Sequence, residues 1–483
     1  MKVEDLITVD FTKREKKGLC DYLYDSIKSQ IVSGQLSADE KLPSKRSLAD
    51  HLGVSVITVQ NAYSLLAVEG YIYSVEKCGY FVTDIKNDIT PKKSESSLTG
   101  VWNSGSNSDS VIRKKNQEKW IADFSSNATG YEKFPFSLWA RTMRNVLNSG
   151  EKNLLQKIES KGVFELRLAI AKHLLEFRDM NVSPDNIVIG AGSESLYTTL
   201  IQLLGENQCY AVENPGYKKI ASVFGLNKAK WLAIDMDDEG MNPALLETSG
   251  ATVIHVSPSH HFPTGTVMSV RRRNELLSWA NKEGFRYIIE DDYDSEFRFT
   301  GKPLPTLQSA DTNGKVIYIN TFTKTLSPSF RISYMVLPEQ LSKKYEQTFG
   351  SFSSPVSAFE QFTLSRFILD GNFARHIIRM KNYYRSLRNE LIEAFSDKIF
   401  LDKIKIHEEE SGLHFLLTVC DEKLGVKQLN DRLLVKRIKI PLLKDFYYSP
   451  VQEEKEKTFV VNYSGIQKKS VASIVEGFKE VLI

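Results

Sequence analysis

The chain has 483 residues, with 63 Lys and Arg against 60 Asp and Glu, for a net charge of +3. That length holds two or three domains and a large core, while so small a charge excess argues neither for nor against a nucleic-acid partner. Cys20, Cys78, Cys209 and Cys420 are scattered without a C-x-x-C pair, so neither a zinc site nor a disulfide framework is indicated. Lys2, Glu4 and Asp5 break the N-terminus and no long apolar span follows, which sets the expectation of a reducing cytoplasm and no membrane.

From about Leu19 to Val82 the pattern is that of a small independent unit. Tyr22, Ile27 and Ile31 recur at helical spacing, with Gly34 as a C-cap. Ser44 caps a second helix carrying Leu48, Ala49 and Leu52 and ended by Gly53. Ser55 caps a third, with Val59, Ala62, Leu65 and Leu66 facing inward. Two helices joined through Gly-Val-Ser make a helix-turn-helix. YIYSVEKCGYFV alternates like two strands around a Glu76–Gly79 turn, the wing of a winged helix.

The stretch KLPSKRSLADHLGVSVITVQNAYSLLAVEGYI resembles the winged-helix domain of the GntR family. That resemblance implies DNA contacts from Arg46 and from the start of the third helix, at Ser55, Ile57, Thr58, Gln60 and Asn61. It also implies a phosphate contact at Tyr63 and minor-groove entry by Lys77 on the wing. The family usually carries arginine directly after the capping serine; here Val56 stands there, which removes one DNA contact. Acids and bases roughly balance in this unit, so Lys45, Arg46 and Lys77 must create its positive face, and the salt dependence of binding should be modest. A winged helix used for protein contact is the alternative.

Residues 1–83 are thus expected to form one domain. Residues 84–119, rich in Ser, Asn, Lys and Asp, read as a flexible linker with an r.m.s. reach on the order of 30 Å, with Trp102 as a docking anchor. Residues 120–483 read as an α/β domain with a small α+β subdomain from about residue 341. SKGVFELRLAIAKHLLEFR is an amphipathic helix with Leu166, Ile170, His173 and Leu174 on one face, so His173 is a helix-packing residue. NIVIGAGSESLYTTLIQLL reads as strand, glycine turn and helix, whose N-terminus can hold a phosphate.

Arg286–Ile289 and Val316–Asn320 look like buried parallel strands, each ending in a polar cluster where α/β sheets bind ligands. The first cluster offers Asp291 and Tyr293, and the second Thr321, Thr323, Lys324 and Ser327, with Arg331 beyond. Pyridoxal phosphate needs a lysine amine for a Schiff base, a carboxylate for its pyridine nitrogen and a donor for its phenolic oxygen; its phosphate needs hydroxyls, N–H groups and an arginine. Lys324, Asp291, Tyr293, Thr321 with Thr323, and Arg331 fill those places in order.

This set resembles the fold-type I aminotransferases, and SPSFR looks most like their branch fused to DNA-binding domains, the MocR/GabR subfamily of GntR regulators. The resemblance implies that Gly192, Ser193 and Glu194 form the phosphate turn, where relatives often carry amides instead of Ser193 and Glu194. A carboxylate at Glu194 sits awkwardly beside a phosphate. ENPGY places Tyr217 beside the cofactor ring, and VIHVSPSHHFPTG brings His260 and His261 near the pocket. Adjacent histidines on an extended strand face opposite ways, so no metal is expected. The strand on which the family carries its substrate-carboxylate arginine reads FVVNYS and has none, leaving Lys439, Lys444, Arg432 or Arg437 as substitutes. The expected protein is a head-to-tail homodimeric regulator that binds promoter DNA and senses a small amine or vitamin B6 form through Lys324. The competing readings are a working aminotransferase with an accessory N-terminal domain, and a scaffold that has lost its cofactor.

Overall fold

The computed structural model describes residues 7, 9–11, 14, 17–75, 78–84, 120–126, 133–150, 152–299, 305–407, 412–421, 424–449 and 457–483. Lys77, Trp102 and all but the first residue of the expected linker lie outside the described residues. Internal contacts divide the chain into two units, Met1–Lys115 and Asn116–Ile483. No described helix is long and apolar enough to cross a membrane.

The first unit holds α1 (Leu19–Val32), α2 (Lys45–Leu52), α3 (Val56–Val68), β1 (Ile72–Val75) and β2 (Gly79–Val82). The hydroxyl of Ser44 accepts from Ser47 N at 3.2 Å and that of Ser55 from Thr58 N at 3.1 Å, which satisfies otherwise unpaired first-turn donors and starts both helices. Gly53 stops α2 at φ 64°, a conformation that a Cβ would strain. β1 and β2 pair antiparallel, with Ile72 opposite Val82. On α3 the buried set is Val59, Ala62, Tyr63 and Leu66, an i, i+3, i+4, i+7 stripe, whereas Leu65 is 42 % exposed. On α1, Leu23 joins Ile27 and Ile31 in the core while Tyr22 stays half-buried.

Tyr63 therefore corrects an expectation. It is 0 % exposed; its hydroxyl donates to the Pro43 carbonyl at 3.0 Å and its ring packs on Tyr80 at 5.0 Å. A phenol enclosed and already paired does not reach a DNA phosphate; it ties α3 to the chain entering α2.

The second unit begins with β3 (Ala122–Asp123), α4 (Phe136–Asn148) and α5 (Phe164–Arg178). Then follow β4 (Ile187–Gly190), α6 (Ser193–Leu204), β5 (Cys209–Asn214), α7 (Lys218–Leu226), β6 (Lys230–Asp237), β7 (Gly240–Met241), α8 (Pro243–Thr248), β8 (Val253–Val256) and α9 (Val270–Asn281). β9 (Tyr287–Asp291), α10 (Leu307–Ala310), β10 (Val316–Thr321) and β11 (Ser333–Val336) complete a sheet ordered β4-β11-β10-β9-β8-β5-β6-β7. β10, β9, β8, β5 and β6 run parallel, with β11 antiparallel between β10 and β4. These central strands are apolar runs because helices cover both faces, as parallel sheets require. On α5, Leu166, Ile170, His173 and Leu174 are all buried; His173 packs against Phe177 and Phe373, and burial pushes it down to about 4, as suits a packing residue.

The small subdomain follows α11 (Glu339–Phe349) and α12 (Ala358–Leu369). Its parts are α13 (Asn372–Phe395), β12 (Ile404–His407), β13 (His414–Val419), α14 (Val426–Val435), β14 (Ile438–Lys439), β15 (Lys457–Asn462) and α15 (Val471–Leu482). β12, β13 and β15 form an antiparallel sheet, packed through Phe415, Leu417, Phe459 and Val461 onto Leu387, Leu391 and Phe478.

Tyr63→Phe should lower the stability of the first unit by about 1 kcal/mol, the worth of one buried hydrogen bond, while changing DNA affinity less than about twofold. Chemical denaturation of the full chain paired with gel shifts checks this; lost DNA binding at unchanged stability would restore the phosphate contact.

Candidate cofactor site and DNA face

A cavity of about 310 Å³ opens at the C-terminal ends of β5, β8, β9 and β10. Among its walls are Ser193, Tyr217, Asp291, Tyr293, Thr321, Thr323, Lys324 and Arg331. Residues spread over 139 positions of sequence thus meet in one place because parallel strands deliver their ends to one edge. Ser327 is not among the lining residues; its hydroxyl bonds Ser329 at 2.9 Å.

Lys324 stands in the turn after β10. The turn is pinned on either side by Phe322 and Leu326, both in the core, and by Phe322 N donating to Ile332 O at 3.0 Å. Lys324 is 8 % exposed, and burial pushes its ammonium down to about 8 against the pull of Asp294. An amine so placed is far more often neutral at pH 7 than an ordinary lysine.

Asp291 ends β9 and is held from behind by residues that the sequence reading did not single out. Tyr197 of α6 donates to Asp291 Oδ2 at 3.0 Å and lies 2.8 Å from His255 Nε2; His255 Nε2 is itself 3.5 Å from the same carboxylate oxygen. Since the Tyr197 proton goes to Asp291, His255 carries its hydrogen on Nε2 and donates it to Tyr197. Two clues were present in the sequence: a histidine inside the apolar strand VIHV, and a tyrosine one helical turn after Ser193. Tyr293 lies 3.4 Å from His260 Nδ1.

The opposite end of the cavity gathers a glycine turn, two threonines and an arginine. Gly192 precedes α6 at φ 93°, and a Cβ there would come within 2.3 Å of Arg331 Nη2, so both backbone and close approach demand glycine. Thr321 and Thr323 hydroxyls bond each other at 2.7 Å, and Ser333 donates to Thr321 at 2.9 Å. Glu194, expected to be awkward here, has a defined place. It accepts from Arg331 Nη2 at 2.6 Å and from Lys219. Burial works against its charge, yet the bonds from Lys219, the backbone and Arg331 outweigh that and hold it to about 2.

On the small-subdomain side, β15 brings Asn462 to the cavity. None of the expected substitutes for the missing arginine (Lys439, Lys444, Arg432, Arg437) lines it, and Lys439 is turned to Asp123 at 3.8 Å. Among the described residues the lining cations are Lys219, Lys324 and Arg331. His261 and His414 stand there instead, together with Glu213, which burial raises to about 8 against the donor Ser257 N. His260 is buried behind them, paired through Nδ1 with Asp294 Oδ2 at 3.0 Å.

In the first unit, Arg46, Ser55, Gln60 and Asn61 are exposed and Ile57 is 70 % exposed, so the first turn of α2 and the start of α3 present these side chains to solvent. Lys45 is half-buried over the Tyr80 ring, 5.4 Å from its centroid. Thr58 is also half-buried, with its hydroxyl 2.9 Å from the capping Ser55 hydroxyl.

Residues 19–82 match the family described as bacterial regulatory proteins, gntR family, and residues 121–456 match aminotransferase class I and II. The chain is 35 % identical over 464 residues to the HTH-type transcriptional regulator YdeL of Bacillus subtilis, covering 96 % of each. It is 28 % identical over 471 residues to the probable rhizopine catabolism regulatory protein MocR of Rhizobium meliloti, covering 95 % of this chain and 93 % of that one. Against the pyridoxine biosynthesis transcriptional regulator PdxR of Corynebacterium glutamicum the identity is 26 % over 416 residues, 86 % of each. The multiple substrate aminotransferase of Thermococcus profundus superposes with a TM-score of 0.66 at 24 % identity, over 80 % of this chain and 96 % of that one, which is a likeness of fold. With a gntR-family helix-turn-helix joined to an aminotransferase class I/II domain, and with transcriptional regulators matching it over 93–96 % of their length, the chain belongs to the MocR-type GntR transcription regulators and is a regulator rather than an enzyme.

Proposed function

We propose that this regulator binds promoter DNA through α2, α3 and the wing, holds pyridoxal 5'-phosphate in the cavity of its second unit, and responds there to a small amine or vitamin B6 form. The observation that carries the reading is Lys324, buried and pushed down to about 8, in one cavity with an oriented carboxylate and an anion end.

The donor set fits that cofactor: an acid held by Tyr197 and His255 at one end, and at the other a glycine turn at a helix N-terminus, whose Cβ-free space Arg331 fills. Asp291 would keep the pyridine nitrogen protonated, Tyr293 would donate to the phenolic oxygen, and Tyr217 would lie beside the ring. Gly192, Ser193, Thr321, Thr323 and Arg331 would hold the phosphate. When bound, the cofactor supplies an aldehyde for which the Lys324 amine and an effector amine compete. An effector amine taking that aldehyde would free the Lys324 amine, and the small subdomain, which lines the same cavity through His414 and Asn462, would register the change. A head-to-tail homodimer reading repeated half-sites is part of the proposal. DNA contacts come from Lys45, Arg46, Ser55, Ile57, Thr58, Gln60 and Asn61, with Lys77 on the wing. A spectral titration of the full chain with amines and B6 forms, with and without its promoter DNA, tests the whole reading. A spectrum and a gel shift that both ignore every one of them would refute it.

Capture of the cofactor needs the neutral amine. Because the buried Lys324 titrates near 8 rather than 10.5, its neutral fraction climbs from about a tenth at pH 7 to about nine tenths at pH 9. The capture rate should therefore rise about tenfold over that interval and level off above it. Stopped-flow absorbance reads this; a rate still climbing steeply beyond pH 10 would mean an ordinary exposed lysine. Lys324→Ala should show no capture band.

Tyr197→Phe removes the hydroxyl that donates to Asp291 and should loosen cofactor retention about fivefold, the worth of one hydrogen bond. Equilibrium dialysis measures it, and unchanged retention would separate Tyr197 from the role of Asp291. Arg46→Ala should weaken promoter binding at every salt concentration, by about 1–3 kcal/mol for a bidentate guanine contact. An unaltered gel shift would remove Arg46 from the DNA face.

A further inference from the structure

The second helix of the helix-turn-helix carries no charge in this chain. From Ser55 to Val68 the sequence SVITVQNAYSLLAV holds no Lys, Arg, His, Asp or Glu, and α3 takes in all of it but the capping serine. Val59, Ala62, Tyr63 and Leu66 are buried, which leaves Val56, Ile57, Gln60 and Asn61 on the outward face at the start of α3. Val56 is 40 % exposed, Ile57 is 70 % exposed, and both amide side chains are exposed. Side chains three and four positions apart on a helix are neighbours, so these four form one patch. Lys45 and Arg46 belong to α2 and Lys41 to the chain before it, so the nearby lysines and arginine fall outside the patch.

A single exposed apolar side chain needs no explanation. Two side by side, on the turn that a helix-turn-helix presents to base edges, have a chemical use. In the major groove thymine shows a C5 methyl, which apolar side chains match. Adenine shows an N6 donor beside an N7 acceptor, which one amide matches with both its polar atoms. Guanine is read chiefly by arginine or lysine, and cytosine by a carboxylate. The patch holds neither. Val56 to Asn61 spans about 7.5 Å of helix axis, and base pairs follow one another at about 3.4 Å, so the patch covers about three of them.

We propose that the start of α3 reads A·T base pairs: Val56 and Ile57 pack on thymine methyl groups, and Gln60 and Asn61 each bond adenine at N6 and N7. An operator half-site then carries a short A·T run under α3, and any guanine read by Arg46 lies outside that run. Both pairings rest on the DNA face proposed above.

The full chain, with and without pyridoxal phosphate, serves to select from random-sequence duplexes, and the enriched site is remade with small changes to single bases. Uracil in place of thymine removes only the methyl, and 7-deazaadenine in place of adenine removes only the N7 acceptor. Uracil should weaken wild-type binding about fourfold at a contacted position, the worth of one buried methyl. 7-Deazaadenine at a neighbouring position should weaken it about fivefold, the worth of one hydrogen bond. Ile57→Ala should lose the uracil effect and Asn61→Ala the deazaadenine effect, each to within about twofold, as a double-mutant cycle requires of a direct contact. These side chains are exposed, so the variants leave the core intact, and Val56→Ala and Gln60→Ala repeat the cycle for their own positions. A site that is G·C at the positions these variants affect overturns the proposal. So does a uracil or deazaadenine effect that persists in all four variants. A chain that enriches no sequence overturns the DNA face and these pairings with it; one that enriches a site indifferent to both base changes overturns the pairings alone.

Discussion

The burial of one amine governs the second unit. Lys324 lies between two core side chains in the turn after β10, at a depth where its charged form is disfavoured. A protein does not place a lysine so without return, because an isolated buried ammonium costs far more than an exposed one. Its surroundings fit the use of that amine as a nucleophile: a carboxylate held from two sides, and a glycine turn with hydroxyls and an arginine at the far end.

The parallel sheet is what makes this possible. Its strands deliver Asp291, Lys324 and the Gly192 turn to one edge, although they come from different βα units. The small subdomain adds Leu413, His414 and Asn462 to the walls, so both halves of the second unit line the one cavity. The winged helix is a unit with its own core, ordered by its serine caps and by Tyr63.

Legibility in the sequence followed the range of the interaction. The capping serines, Gly53 and the strands expected at 286–289 and 316–320, found at 287–291 and 316–321, rest on local pattern. Asp291, Tyr293, Thr321, Thr323, Lys324 and Arg331, grouped from their places after buried strands, do line one cavity, because parallel strands deliver their ends to one edge. The buttress of Tyr197 and His255 behind Asp291 was missed: it joins a helix to two strands, and no spacing rule links them. Tyr63 was misread because its side chain is polar at the tip, while the helical stripe of Val59, Ala62 and Leu66 already included it. The fate of the missing arginine could not be read either. None of the substitutes sought for it lines the cavity, and the strand on which it was sought brings Asn462 there instead.

Borohydride reduction of the full chain mixed with pyridoxal phosphate, followed by peptide mass analysis, puts the central claim to its most direct trial. The account requires a single pyridoxyl addition on the peptide containing Lys324. Addition spread over exposed lysines, or none on that peptide, would contradict it.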